Sequence, residues 1–539
     1  MLLRRINDAT GRRVPARRGF VILAVLIVVV VLSLAAYRFT DLMTAEFRAA
    51  ARSQDAAQAR AAARSGVHYA TAMLADPAIL NGELGGNPYA DGAFTPQTVR
   101  SGDVPRLEAR FALVAVVPDG NGGFEQRFGG VVDETARLNI NSLIQLDSSG
   151  QLLYDALMLL PNMTSELADA IVDWVDPDDD PREGGAESDH YLGLGQPYRA
   201  KNGPLNSLDE LLLVRGMSAQ ILYGTDRNRN GVADDDTGGG AFDRGLADFL
   251  TVYGREINLD SQGQLRTNLN ESDDLPGLYD KLTARLPQDV ADFIFAYRTF
   301  SSVKTGSTGS STTTTTTAKT ATGGAAELNA AVQAALSAGT STSRRLIPTR
   351  QCDEGGMIDL VTAQITLPKA ADAAADAPTV VVPSPLADPT RFAQLFGELM
   401  DKTTTTKTVE MTPRVNVNTA PREVLLAVPG MTEEAADAII QQRDSLDPAD
   451  PTTVTGAWIV TGGSAGGPPA VDQATFRRIK RYLTGRTTVY RIQSVGYFGQ
   501  GGPVARVEAV IDTNQGAPRV LYFRDLTDLD TPRGFEPPR

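Results

Sequence analysis

The chain has 539 residues, enough for several domains at roughly 150 residues each, and a formal net charge of −14. That balance argues against nucleic acid as a partner and suits cation binding and a soluble surface. A single cysteine, Cys352, excludes an intrachain disulfide, and the two histidines, His68 and His190, sit in no Ser/His/Asp or Cys/His arrangement, so the composition points away from a histidine-based metal site or a nucleophilic hydrolase.

The first nineteen residues are polar and carry Arg4, Arg5, Arg12, Arg13, Arg17 and Arg18; Phe20–Ala36 then runs without a charge. That run is near the lower limit for a helix spanning a hydrocarbon core, and the arginine cluster predicts a cytoplasmic N-terminus with the bulk outside. Three readings compete: a cleaved secretory signal, a plain signal anchor, or a prepilin leader cut after Gly19. The small-residue site near Ser33-Leu34-Ala35 is weak for a signal peptidase, and the apolar run exceeds the usual length of such a segment. The continuation favours the third reading. No Gly or Pro occurs from Phe20 to Ser65, and alanines recur among charged residues, which predicts one continuous helix from Phe20 to about Leu74. At 1.5 Å per residue it would be roughly 80 Å long, apolar in its first half and amphipathic in its second. A basic leader ending in Gly-Phe before such a helix resembles type IV pilins and type II secretion pseudopilins.

Strands are predicted at 107–117 and 125–132, and again only near the C-terminus at 488–495, 504–511 and 519–523. The intervening sequence reads as mostly helical, so the fold class is α+β: an antiparallel sheet interrupted by a large helical insertion. The insertion contains a repeat. Arg137-Leu138-Asn139-Ile140-Asn141 is echoed by Arg266-Thr267-Asn268-Leu269-Asn270 and by Arg414-Val415-Asn416-Val417-Asn418. Each copy precedes a Pro-marked turn and an apolar helix, a helix-hairpin-helix (SAM-like) pattern. Such units often bind phosphate through backbone amides at a Pro-Gly hairpin. Only the third copy has that glycine, Gly430, so packing or docking is the expected role and DNA binding the alternative. The boundaries expected are a leader at 1–19, the long helix at 20–75 and the first part of the β domain at 76–136. The helical insertion with its acidic loops follows at 137–300, then a low-complexity, irregular stretch at 301–410. A second helix-hairpin-helix unit at 411–486 and the C-terminal strands with a tail at 487–539 complete the chain.

Two loops carry candidate cation ligands. The first runs from Asp173 to Glu187 and includes Asp176, Asp178 and Asp180, stiffened by Pro177 and Pro181. Carboxylates at that density repel one another unless solvated or neutralised, and calcium takes six to eight oxygens. The second is Asp226-Arg227-Asn228-Arg229-Asn230-Gly231-Val232, where Asp226, Asn228, Asn230 and Gly231 match positions of an EF-hand-type loop, with a Val232 carbonyl and Asp234 to follow. The position of the bidentate acid is held by Thr237, so Asp235 or Asp236 would have to substitute. For each loop the alternative is a solvated turn without metal.

The run Asp133–Asn141 resembles the sequence entering the helical domain of the K-type minor pseudopilin of type II secretion systems (general secretion pathway protein K). So do Ile171–Asp176 with its acidic loop, Gly185-Ala186-Glu187, Tyr191, Asn206–Leu211 with Arg215-Gly216-Met217, and Val415–Ala420. The resemblance implies a structural, non-enzymatic subunit with a pilin-like α/β domain and a large helical insertion. It implies calcium bound by ligands drawn from Asp173, Asp176, Asp178, Asp180 and Glu187. It also implies partnership with the I- and J-type minor pseudopilins and other secretion components at a pseudopilus tip, in pseudopilus initiation and protein export across the outer membrane. Processing by prepilin peptidase would leave Phe20 as an N-methylated first residue, in a single-pass inner-membrane protein with a periplasmic bulk. The Asp226 loop, the middle repeat and the threonine-rich stretch depart from the family's usual pattern. A type IV pilus minor pilin and an extracytoplasmic DNA-binding protein are the alternatives. Counting from Phe20, the fifth residue is Ala24, where most pilins and pseudopilins carry a glutamate. A subunit with nothing above it has no N-terminal ammonium to neutralise, so alanine there suits a tip position.

Overall fold

The structure, a computed structural model, describes residues 18–76, 78–85, 88–89, 92–118, 124–230, 234, 244–300, 320–341, 350–352, 357–369, 377–443, 445–447, 450–514 and 516–529. Residues 1–17 of the expected leader, residues 301–317, and Val232, Asp235, Asp236 and Thr237 lie outside the described residues.

One helix, α1 (Arg18–Ala75), accounts for the unbroken alanine-rich sequence. Its first half is long and apolar enough to cross a membrane and is exposed among the described residues. Its second half buries Ala59, Ala63, Val67, Ala70 and Leu74, one stripe at helical spacing, against a sheet. The sheet comprises β1 (Gln97–Arg100), β2 (Ala109–Pro118), β3 (Phe124–Phe128), β4 (Val132–Asp133), β5 (Val489–Phe498), β6 (Ala505–Asp512) and β7 (Arg519–Asp525). The spatial order is β1-β2-β5-β6-β7, with β3 also on β2 and β4 also on β5, and every pairing is antiparallel. The β2–β5 ladder, Val114 opposite Gln493 through Ala109 opposite Phe498, joins the two ends of the sequence around the insertion. Small residues set how closely helix and sheet approach: a Cβ at Gly496 would lie 2.0 Å from the Ala59 carbonyl oxygen. A long N-terminal helix laid on an antiparallel sheet is the pilin-like α+β arrangement the sequence predicts.

The insertion leaves after β4 and returns into β5. Each of the three Arg-x-Asn-x-Asn copies opens with a two-residue strand that pairs in parallel with chain returning later. Leu138–Asn139 pairs with Leu250–Thr251, Thr267–Asn268 with Thr403–Thr404, and Val415–Asn416 with Leu483–Thr484. The final asparagine of each copy clamps the fold by its side-chain amide. Asn141 exchanges two hydrogen bonds with the Leu205 backbone, at 2.8 and 2.9 Å. Asn270 donates to the Thr405 carbonyl and accepts from the Cys352 amide. Asn418 donates to the Gly485 carbonyl and accepts from the Trp458 indole. The repeat is therefore a backbone requirement, since a carboxylate could not donate to those carbonyls.

Two expectations change. The middle copy does not end near residue 300: its closing strand is Thr403–Thr404, in a threonine run that composition alone marks as biased sequence. Helices Ala325–Ser341 and Pro389–Lys402 stand within the stretch expected to be irregular. The second is capped by Asp388, which accepts from Arg391 N, and it buries Phe392, Phe396, Leu399 and Met400 on one face. The three units share one apolar core.

Candidate metal centre

The first acidic loop begins on the helix Ser165–Val175, capped at its start by Thr164. Asp173 sits in its last turn, and Asp176 is the residue on which it ends. The chain then runs outward through Asp178 and Asp180, turns at Gly184-Gly185, and returns so that Glu187 precedes the short helix Ser188–Leu192. Asp169, one turn before Asp173, fixes the return: it accepts from Arg182 Nε at 2.7 Å and from the Gly184 amide at 3.1 Å. Arg215 donates to the Gly185 carbonyl at 2.7 Å. Tyr191 stacks on Tyr198 and meets Trp174 edge-on, with ring centroids 5.2 and 5.1 Å apart, which gives the loop an apolar wall. Glycine is required at 185 because a Cβ there would fall 1.9 Å from Asp173 Oδ2.

This folding brings Asp173, Asp176 and Glu187 together. One carboxylate oxygen of each lies within 4.8 Å of those of the other two, and the residues are 0%, 4% and 4% exposed. Asp176 Oδ1 and both oxygens of Glu187 are buried without a hydrogen-bond partner among the described residues. Burial raises all three carboxyls above their ordinary range. Asp173, which accepts the Arg182 and Ala186 amides, reaches about 6. Asp176 reaches about 7 and Glu187 about 8, each raised further by neighbouring carboxylates. Three buried carboxylates with orphaned oxygens and no cation between them form a costly arrangement in isolation. The donor set is oxygen only, which suits a hard cation such as calcium rather than zinc or copper. Asp178 and Asp180 stand on the exposed edge, where Asp178 Oδ1 accepts the Asp180 amide at 3.0 Å.

The Asp226 loop is organised differently. Asp226, Asn228 and Asn230 are buried, but Asp226 Oδ1 and Asn228 Oδ1 both accept the Asn230 amide, at 2.9 and 3.0 Å. Asp234 accepts from Asn228 Nδ2 and the Arg227 amide. The carbonyls of Asn228 and Arg229 accept from the Arg506 guanidinium on β6. Arg229, in the left-handed region at φ 58°, pairs with Glu508 at 2.7 Å. In the described residues this loop is an internally bonded turn tied to the sheet. Among the described residues it brings Asp226 and Asp234 as carboxylates; Val232, Asp235 and Asp236 lie outside them.

Sequence reasoning did not single out Asp169 as a positioning residue, although its spacing of four from Asp173 on one helix face was available as a signal.

Residues 136–224, which include the three-carboxylate loop, match the model of the family described as type II secretion system (T2SS), protein K, and residues 415–453 match a second model of the same description. The type II secretion system protein K of Klebsiella pneumoniae is 35% identical over 102 residues, covering 17% of this chain and 31% of that protein. That of Pectobacterium carotovorum subsp. carotovorum is 31% identical over 106 residues, covering 17% and 32%. The chain thus spans about a third of the length of the curated relatives it matches. Among solved structures, a chain in the crystal structure of the GspK-GspI-GspJ complex from the enterotoxigenic Escherichia coli Type 2 Secretion System superposes loosely. The TM-score is 0.36 at 13% identity, covering 89% of this chain and 99% of that one.

Proposed function

We propose that this chain is a K-type minor pseudopilin of a type II secretion system, a structural subunit and not an enzyme. The carrying observation is the joint one. A long helix with an apolar first half lies by its second half on an antiparallel sheet, and the sheet is opened by an insertion whose first and third units match the protein K models in chain order. In this reading the chain is a single-pass inner-membrane protein with its N-terminus in the cytoplasm and its bulk in the periplasm. It takes part with I- and J-type minor pseudopilins in starting or capping a pseudopilus for protein export. Calcium held by Asp173, Asp176 and Glu187, with Asp178 and Asp180 near the mouth, stabilises the first unit.

Tip placement rests on Ala24 and on the size of the insertion, which would clash within a regular filament but not on its end. Gold label raised against the insertion is expected at one end of isolated pseudopili. Label along the shaft, or this chain at the abundance of the major subunit, would contradict it.

The leader gives a second expectation. Prepilin peptidase cuts after Gly19, and mass spectrometry of the chain from native membranes finds N-methylated Phe20 as its first residue. A terminus near Ala36 would mean a secretory signal and the loss of the anchor.

A further inference from the structure

Where the three units meet there is a cavity of about 680 Å³, within the size range of ligand sites. Its charge opposes that of the chain. Arg266, Arg414, Lys480 and Arg481 line it against one carboxylate, Glu410, although the whole chain carries −14. The cations have different duties. Arg414 donates through Nε and Nη2 to the two carboxylate oxygens of Glu256 and builds the wall. Arg266 gives its Nε to the Asp401 carbonyl at 2.9 Å. Burial, with Arg486 and Arg414 close by, pushes it down to about 10 despite Glu256 and Asp401. An incoming anion would relieve that repulsion. Arg481 is exposed at the rim.

Two further features describe the ligand. Ser142, 5% exposed, lines the cavity with an Oγ that has no hydrogen-bond partner. Part of the lining is apolar and half-buried, formed by Leu146, Met357 and Met411, and methionine adapts to varied side chains. A simple inorganic anion would leave that apolar lining unused. Nucleic acid would need an open aromatic face for stacking, but Phe396 and Phe476 are 0% and 1% exposed and meet edge-on at 5.9 Å.

We propose that this cavity binds an extended acidic peptide segment of a partner protein, its carboxylates on the lining cations and its apolar side chains against Leu146, Met357 and Met411. The inference does not depend on the pseudopilin reading, because it uses only the cavity's own chemistry.

The test is fluorescence anisotropy on the full chain in phosphatidylcholine nanodiscs. The probe is a fluorescein-labelled decapeptide alternating glutamate and leucine. Saturable binding is expected, weakened by added salt. Arg481→Glu, at an exposed rim position that leaves folding alone, should weaken it roughly tenfold. Arg266→Gln should weaken it as well, and the same peptide with glutamine for glutamate should bind far less. Equal binding of the glutamine peptide, or unchanged affinity in Arg481→Glu, overturns the proposal. Displacement of the probe by an oligothymidine of equal charge overturns the peptide assignment in favour of a general polyanion site.

Discussion

Arg491→Ala is expected to cost about 3–5 kcal/mol, the scale for breaking a buried ion pair by removing one partner. Arg491 on β5 grips Glu134 with Nε and Nη2 at 2.8 and 2.6 Å and reaches Glu508 with Nη1 at 2.8 Å. Both carboxylates are buried, at 0% and 1% exposure. Arg137, at the start of the insertion, holds Glu134 at 2.5 Å, and Arg229, from the Asp226 loop, holds Glu508. The network therefore fastens the insertion to the sheet at two places, with Arg491 as the shared cation. Without it, two buried carboxylates keep one cation each and must either stay under-neutralised or take up protons. The pH dependence follows. Burial alone would raise Glu508, but Arg491 and Arg229 outweigh it and hold it down to about 2. A depressed folded value means that this contribution is present above the unfolded carboxylate range and is lost as pH falls toward 2. Wild-type chain should thus lose stability steeply on acidification, and Arg491→Ala should start lower and fall less. Urea denaturation followed by tryptophan fluorescence, repeated across acidic pH, measures both. A loss under about 1 kcal/mol, as for a surface pair, or an unchanged acid slope, would show that the network contributes little.

The features that were legible in the sequence share a cause: each is imposed by the local backbone or by residues close in sequence. The continuous helix followed from the absence of Gly and Pro, and the central strands from runs of β-branched and aromatic residues. The Asn-x-Asn repeat was visible because each final asparagine must both donate to and accept from returning chain. β1 was missed because it is a short edge strand whose four residues, Gln97–Arg100, are largely exposed and show no apolar alternation. The closing strand Thr403–Thr404 was missed because its identity comes from its partner, Thr267–Asn268, far away in sequence. The acidic loop offered a candidate cation site by charge density but did not say which carboxylates converge. That was decided by Asp169 and by the turn at Gly184-Gly185, which bring Glu187 back beside Asp173 and leave Asp178 and Asp180 outside. The arginines that open the repeats were legible, and Arg137 pairs with Glu134 three residues away. The convergence of Arg491, Glu508 and Arg229, and of Arg266, Arg414 and Arg481 around one cavity, was not, since these residues are joined only by the packing of the three units on the sheet.

Removing calcium is expected to lower the melting temperature of the chain by roughly 10 °C. A ligand at about a thousand times its Kd adds about 4 kcal/mol to the native state, and each kcal/mol moves the midpoint by about 2–4 °C for a unit of 150–250 residues. The geometry says why the effect should be this large: three carboxylates crowd together, 0–4% exposed, with three oxygens that nothing among the described residues satisfies. The pH dependence carries a definite sign. Asp173, Asp176 and Glu187 are raised to about 6, 7 and 8, above their unfolded values of about 4. In chelator, their contribution is most favourable below about pH 4 and is lost as pH rises through the folded values. Calcium takes the ionised carboxylates, so its stabilising effect should be small at about pH 5 and grow toward about pH 8. Glu187→Gln separates this from a merely structural role. In chelator it removes one of three mutually repelling charges and should leave the melting temperature unchanged or higher, whereas in calcium it should lower it. Differential scanning fluorimetry of the full chain in nanodiscs, with calcium or chelator across that pH range, reads all of this directly. Identical melting curves in calcium and chelator at about pH 8, or a Glu187→Gln variant destabilised equally in both, would remove calcium from the account of this loop.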